Sequence, residues 1–305
     1  MTALKTPAAN VATSLLKDAS PIIRWGTSEM NQRLDDCVFG SDLVTIGGGP
    51  KSGKTAFAIS LLAENLRNAQ CTPTLISVES SPTILQRRVL AATTRCHISR
   101  LSERETLREK MIMFEMVTDR PIEQVALDSP ANLPALIEHM ETAVDIYKSD
   151  VLIIDSISRM SVRRLPELDP SEDSGQTQGR EAELTQITST LVDFARDHNV
   201  VIIGTFDLRN EGKNWGVMDS RHCKNIVLYS AAAGFIFNPA AAAAQETARL
   251  GKRKVTAQEI INEHRNEVRP EDPQLVFEHL RMGPPFRVRI AWVPEESRFT
   301  ELPDA

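Results

Sequence analysis

Apolar positions fall along this chain in two rhythms. Short, nearly unbroken apolar runs occur at Leu43 to Ile46, Thr74 to Val78, Val151 to Ile154, Val200 to Gly204 and Gly234 to Phe237. Between them, apolar residues recur every three or four positions at Thr55 to Ala69, Pro82 to Thr94, Ala131 to Tyr147 and Glu181 to His198. The first pattern predicts strands buried on both faces, the second amphipathic helices. Their alternation predicts an α/β fold with a mainly parallel central sheet covered by helices. Towards the end, "FRVRIAWV" (286–293) alternates strictly, which predicts antiparallel strands finishing one edge of the sheet.

Three stretches depart from both rhythms. Residues 161–179, "SVRRLPELDPSEDSGQTQG", carry Pro, Gly, Ser and Asp throughout and read as a long loop between a strand and a helix. Loops beyond about 15 residues usually carry function or lack order. Residues 1–20 hold one weak apolar patch, "VATSLLKDA", so the chain divides into an N-terminal arm at 1–23 and one domain at 24–305. The alanine tract at 240–244 fits a helix or an excursion, and a helical pattern, "TAQEIINEHRN", follows it.

Composition sets the class more than the function. A 305-residue chain that is 41% hydrophobic builds an ordinary globular core, neither fibrous nor disordered. With 35 basic against 41 acidic residues and a formal charge of -6, no global positive field points to a nucleic acid. Positive charge confined to a few loops would still serve a ring or channel. Cys37, Cys71, Cys96 and Cys223 are scattered without CxxC or metal-like spacing, which predicts unlinked thiols, several of them buried, in a reducing compartment. No signal-like or membrane-spanning apolar run is present, so a soluble cytoplasmic protein is expected.

The chemistry begins where the first apolar run ends. Gly48, Gly49, Pro50, Lys51, Ser52, Gly53, Lys54 and Thr55 satisfy G-x-x-x-x-G-K-[ST] between a predicted strand and a predicted helix. Small residues let successive backbone N–H groups converge on phosphates, and the helix N-terminus adds partial positive charge. Lys54 supplies a point charge to the β and γ phosphates and Thr55 a hydroxyl for Mg²⁺, so ATP and Mg²⁺ are the expected ligands. Lys51 fits either a phosphate contact or a solvated turn.

Three acidic residues follow later strands. Asp155 closes "VLIID" as the candidate Walker B ligand of Mg²⁺. Glu79 closes "TLISVE", where a general base for the attacking water belongs; a helix-capping glutamate is the alternative. Asp207 closes "VVIIGTFD" and suits a sensor of the γ-phosphate or metal, or an Asx-type turn.

These motifs resemble the ATPase core of DnaB-type replicative helicases, within the RecA-like P-loop NTPases, over residues 24–302. The resemblance starts in "GTSEMNQRLDDCVFGSDLVTIGGGPKSGKTAFAI", continues through "LISVESSPTILQRRVL" and "VLIIDSISRM", and ends in "FEHLRMGPPFRVRIAWVPEESRF". It implies a RecA-like core, Glu79 as catalytic glutamate, and Arg87 or Arg88 as a helix arginine. The last segment holds Arg281, Gly283, Pro284, Arg298 and Phe299 in the family's order. By resemblance Arg281 is an arginine finger for the next subunit's γ-phosphate, with a surface salt bridge as the alternative. Two positions depart from the family: Asp207 stands in place of a glutamine and His279 in place of a lysine, both subtracting donors or positive charge. The family's separate N-terminal domain is expected to be missing.

The resemblance further implies a homo-hexamer that moves along single-stranded nucleic acid, DNA before RNA, with a replication protein as a partner. RNA-packaging hexamers of double-stranded RNA phages are a second, more distant likeness, and imply a capsid partner and a virion location. Loop residues Arg163, Arg164, Arg209, Lys213 and Arg221 are the candidate polymer contacts, although the first loop also carries Glu167, Asp169, Glu172 and Asp173. Trp215 and Tyr229 suit base stacking or packing equally. A regulatory or scaffold ATPase without nucleic acid is the reading of a different class.

Overall fold

The computed structural model describes residues 21–35, 38–49, 51–127, 130, 132–162, 176–207, 229–237, 274–281 and 283–302. A short helix, α1 (Ser28–Leu34), leads in; the Thr27 hydroxyl caps it by accepting from the Met30 N–H, and Met30 and Leu34 are buried. Strand β1 (Leu43–Gly48) runs to α2 (Lys54–Asn68), and β2 (Pro73–Ser77) to α3 (Pro82–Thr94). Next come α4 (Arg104–Thr118), a one-turn α5 (Ile122–Val125), β3 (Ala126–Leu127) and α6 (Leu133–Glu141), which widens into a π-turn over Thr142–Ile146. Strand β4 (Val151–Asp155), a 3₁₀ turn (Ile157–Arg159), α7 (Gln176–His198) and β5 (Val201–Asp207) follow. The chain finishes the sheet with β6 (Ala232–Phe237), β7 (Gln274–Leu280), β8 (Phe286–Val293) and β9 (Arg298–Glu301).

The nine strands lie in the order β3-β2-β4-β5-β1-β6-β7-β8-β9. From β3 to β6 neighbours are parallel, and β7, β8 and β9 add on antiparallel. Adjacent residues of a strand feed opposite cores. Val44, Ile46, Ile153 and Ile203 pack with α2, α3 and α4, whereas Leu43, Leu152, Ile154 and Ile202 pack with α6 and α7. Two apolar faces per strand explain why these strands read as unbroken apolar runs. The α/β, RecA-like architecture with C-terminal antiparallel strands is therefore the observed one.

Element ends differ from expectation for local reasons. Strand β1 continues through Gly47 and Gly48, and β5 through Thr205, Phe206 and Asp207, because the two strands keep pairing in parallel to Gly48 and Asp207. Helix α6 starts behind Asn132, whose side chain accepts from the Ala135 N–H, rather than at residue 131. Helix α7 begins at Gln176, inside the expected loop of 161–179. Cys71 and Cys96 are free and buried. Among the described residues no helix is long and apolar enough to cross a membrane.

Candidate active site

The glycine-rich segment joins the end of β1, near the sheet's centre, to the start of α2. Gly53 adopts φ +107°, and a Cβ there would lie 2.7 Å from Phe299 Cζ, so glycine is required twice over. Lys54 is buried, and its ammonium donates to the carbonyls of Gly48 and Gly49 at 2.9 Å each. It also pairs with Asp207 Oδ1 at 2.8 Å. The Ser52 hydroxyl is buried with no hydrogen-bond partner among the described residues. Lys51 is exposed, at φ +61°.

Strand β4 delivers Asp155 beside this loop at 1% exposure. One carboxylate oxygen accepts from the Thr205 hydroxyl of the neighbouring β5 at 2.6 Å, and Oδ2 has no partner among the described residues. A buried carboxylate with one bare oxygen is costly unless a cation or donor meets it. Together with the unpartnered Ser52 hydroxyl and the tight glycine turn, that bare oxygen fits a Mg²⁺-bound triphosphate.

Glu79 does not close β2, which ends at Ser77. It stands two residues beyond, in a bend held by the Ser80 N–H donating to Ser77 Oγ at 3.0 Å. There it is exposed and meets Arg159 of the 3₁₀ turn, Nε to Oε1, at 2.5 Å. The same Nε lies 3.3 Å from Asp207 Oδ2. Asp207 closes β5 as expected, and its N–H donates to Ser158 Oγ at 2.8 Å. Glu79, Arg159, Asp207 and Lys54 thus form a chain of alternating charge.

Lys54, Thr55, Glu79, Asp155, Arg159 and Asp207 all line one cavity of about 470 Å³. Arg88 lines it too, whereas Arg87 turns away to donate to the Leu101 carbonyl at 2.8 Å. Burial strips water from the Arg88 guanidinium and lowers its pKa, against which the Asp155 charge acts. Trp292 and Phe299, ring centroids 5.1 Å apart and tilted by 50°, form an aromatic wall. The Phe299 N–H donates to Ser60 Oγ at 2.6 Å, which ties β9 to α2.

Arg281 is far from this cavity. It pairs with the buried Asp42 at 2.8 Å, just before β1 begins. The six residues of β1 therefore separate it from the glycine-rich loop of its own chain, a span of about 20 Å. His279 lies on β7 opposite Ala233. Pro50, Arg163, Arg164, Arg209, Lys213, Trp215 and Arg221 lie outside the described residues, as do residues 1–20 of the arm and the alanine tract; Tyr229 is exposed.

Sequence reasoning missed Arg159, Thr205 and the aromatic wall. An arginine four residues past a strand ordinarily reads as solvated, and only the 3₁₀ turn bends this one back over the cavity.

No curated protein matches the chain. A solved structure described as the ATPase domain of G40P superposes with a TM-score of 0.64 at 17% identity, covering 99% of this chain and 100% of that one. A DnaB-like replicative helicase, solved for its interactions with primase, gives a TM-score of 0.61 at 17% identity, covering 99% of this chain and 68% of that one. At this identity the two show the shared fold. The sequence profile described as the DnaB-like helicase C terminal domain matches residues 26–301. With that match spanning nearly its whole length, the chain belongs to the DnaB-like helicase C-terminal domain family.

Proposed function

We propose that this chain is a Mg²⁺-dependent ATPase that translocates on single-stranded nucleic acid as a ring-shaped homo-hexamer and unwinds DNA. Family membership supports ATP-driven translocation. The observation that carries the reading is the split of charged residues between the sheet's two edges. Lys54, Glu79, Asp155 and Asp207 share one cavity, while Arg281 stands by Asp42 at the other end of β1, away from its own chain's cavity, which supports a role for it in a neighbour's site.

In this reading, Lys54 and the backbone N–H groups of the glycine-rich loop hold the phosphates. The Thr55 hydroxyl and the bare oxygen of Asp155 hold Mg²⁺, directly or through its water shell. The metal supplies charge that offsets the phosphates. Glu79 accepts a proton from water as the water oxygen bonds to the terminal phosphorus and the bond to the departing diphosphate breaks. Asp207 senses the terminal phosphate through Lys54. Arg281 leaves Asp42 to stabilise phosphoryl charge on the adjacent subunit, so hydrolysis waits for assembly. The Trp292 and Phe299 wall suits a flat nucleobase. Arg163, Arg164, Arg209, Lys213 and Arg221 are the proposed polymer contacts, and a replication protein is the expected partner, as primase is for the DnaB-like relative.

Steady-state ATPase at about 50 and 200 mM salt, with and without single-stranded DNA or RNA, tests this. The expected result is stimulation by DNA that weakens with salt. Hydrolysis indifferent to any polymer would replace the motor with a regulatory or scaffold ATPase.

A further inference from the structure

The notch between Lys54 and Arg159 is an anion site in which Asp207 sits. Its two oxygens lie 2.8 Å from Lys54 Nζ and 3.3 Å from Arg159 Nε. Lys54 is fixed by two backbone carbonyls. Arg159 is positioned by a different device. Ile157, fully buried, occupies the space left by Gly204, where a Cβ would lie 2.0 Å from Ile157 Cδ1, and Ser158 accepts from the Asp207 N–H. The 3₁₀ turn is thereby seated on β5, and its last residue hangs over the cavity with its side chain 62% exposed.

We propose that Arg159 is a same-chain arginine for the terminal phosphate, which exchanges its ion pairs with Asp207 and Glu79 for the γ-phosphate and so frees Glu79 to take the proton from water. The inference rests on the ATPase reading. Both ion pairs are solvent-accessible and cost little to break. A terminal phosphate carries more charge than a carboxylate and matches the guanidinium fork. A diphosphate has no group to draw Arg159 away, so Glu79 stays paired until a triphosphate arrives.

Equilibrium binding of Mg²⁺-ADP and of a non-hydrolysable Mg²⁺-ATP analogue to the full chain, its Arg159→Ala, Arg159→Lys and Asp207→Asn variants, tests this, with thermal melts checking the fold. R159A is expected to weaken the triphosphate analogue about tenfold and ADP by less than about twofold. R159K should recover part of the loss, and D207N, which releases both Lys54 and Arg159, should tighten triphosphate binding more than ADP binding. Equal losses for both nucleotides, or an unchanged triphosphate affinity, would overturn the inference and leave the ATPase reading intact. Failure of the unaltered chain to bind either nucleotide would overturn both. If R159A does not fold, R159K and D207N decide on the same two ratios.

Discussion

Asp155 holds a carboxylate at 1% exposure with one hydrogen bond, from Thr205, and one bare oxygen. Thr205→Val keeps the shape and removes that donor, so it should cost about 1–3 kcal/mol in urea unfolding and lower ATPase with it. Ser52→Ala removes a hydroxyl that has no partner, so its stability cost should stay below about 0.5 kcal/mol while nucleotide binding weakens. Loss of stability in the second variant and not in the first would reverse this account of the two side chains. Cys71 lies apart from the cavity, with its thiol donating to Asn65 Oδ1 at 3.3 Å. Burial, reinforced by the Asp150 charge, pushes its pKa from 9.0 up to about 12. Unfolding lets the thiol ionise first, so its contribution to stability is full below about pH 9 and fades as pH rises towards 12. Melting curves across that window should fall less steeply for Cys71→Ala than for the parent chain.

Seated turns link the strands to the chemistry. Gly204→Ala would drive a methyl into Ile157, so it should cost about 1–3 kcal/mol by overpacking and displace the turn that carries Arg159. A thermal melt detects the first effect, and weakened triphosphate binding with ADP binding retained detects the second. At this scale the sequence was most legible where both faces of an element are buried. Strands β1, β2, β4 and β5 announce themselves because each feeds two apolar cores. Helix α4 did not, because it buries only Thr106 and Phe114 fully and leaves Ile112, Met116 and Val117 in solvent, which blurs its stripe. The glycine-rich loop was readable for another reason: its φ +107° turn admits few residue types, so composition reports geometry. Arg159 belongs to the opposite case. Its place depends on Gly204, in a strand about 45 residues later, and on ion partners at that strand's end, Asp207, and in the bend after β2, Glu79, none of which a local pattern encodes.

Across the whole molecule, the cavity and Arg281 lie at opposite edges of the sheet. A single chain cannot bring the two together, so specific ATPase activity should rise with protein concentration as subunits meet. Asp155→Asn removes the metal ligand and keeps Arg281; Arg281→Ala keeps the cavity and removes the finger. Each variant alone is expected to be inactive, by at least about 100-fold. The most direct test of a polymer-driven site completed by a neighbour is the ATPase of these two variants mixed in equal amounts, with single-stranded DNA present. The account predicts recovery of a clear fraction of the parent rate, greater with the strand than without it. A mixture as inactive as its components, or an R281A protein that hydrolyses ATP normally by itself, would contradict it.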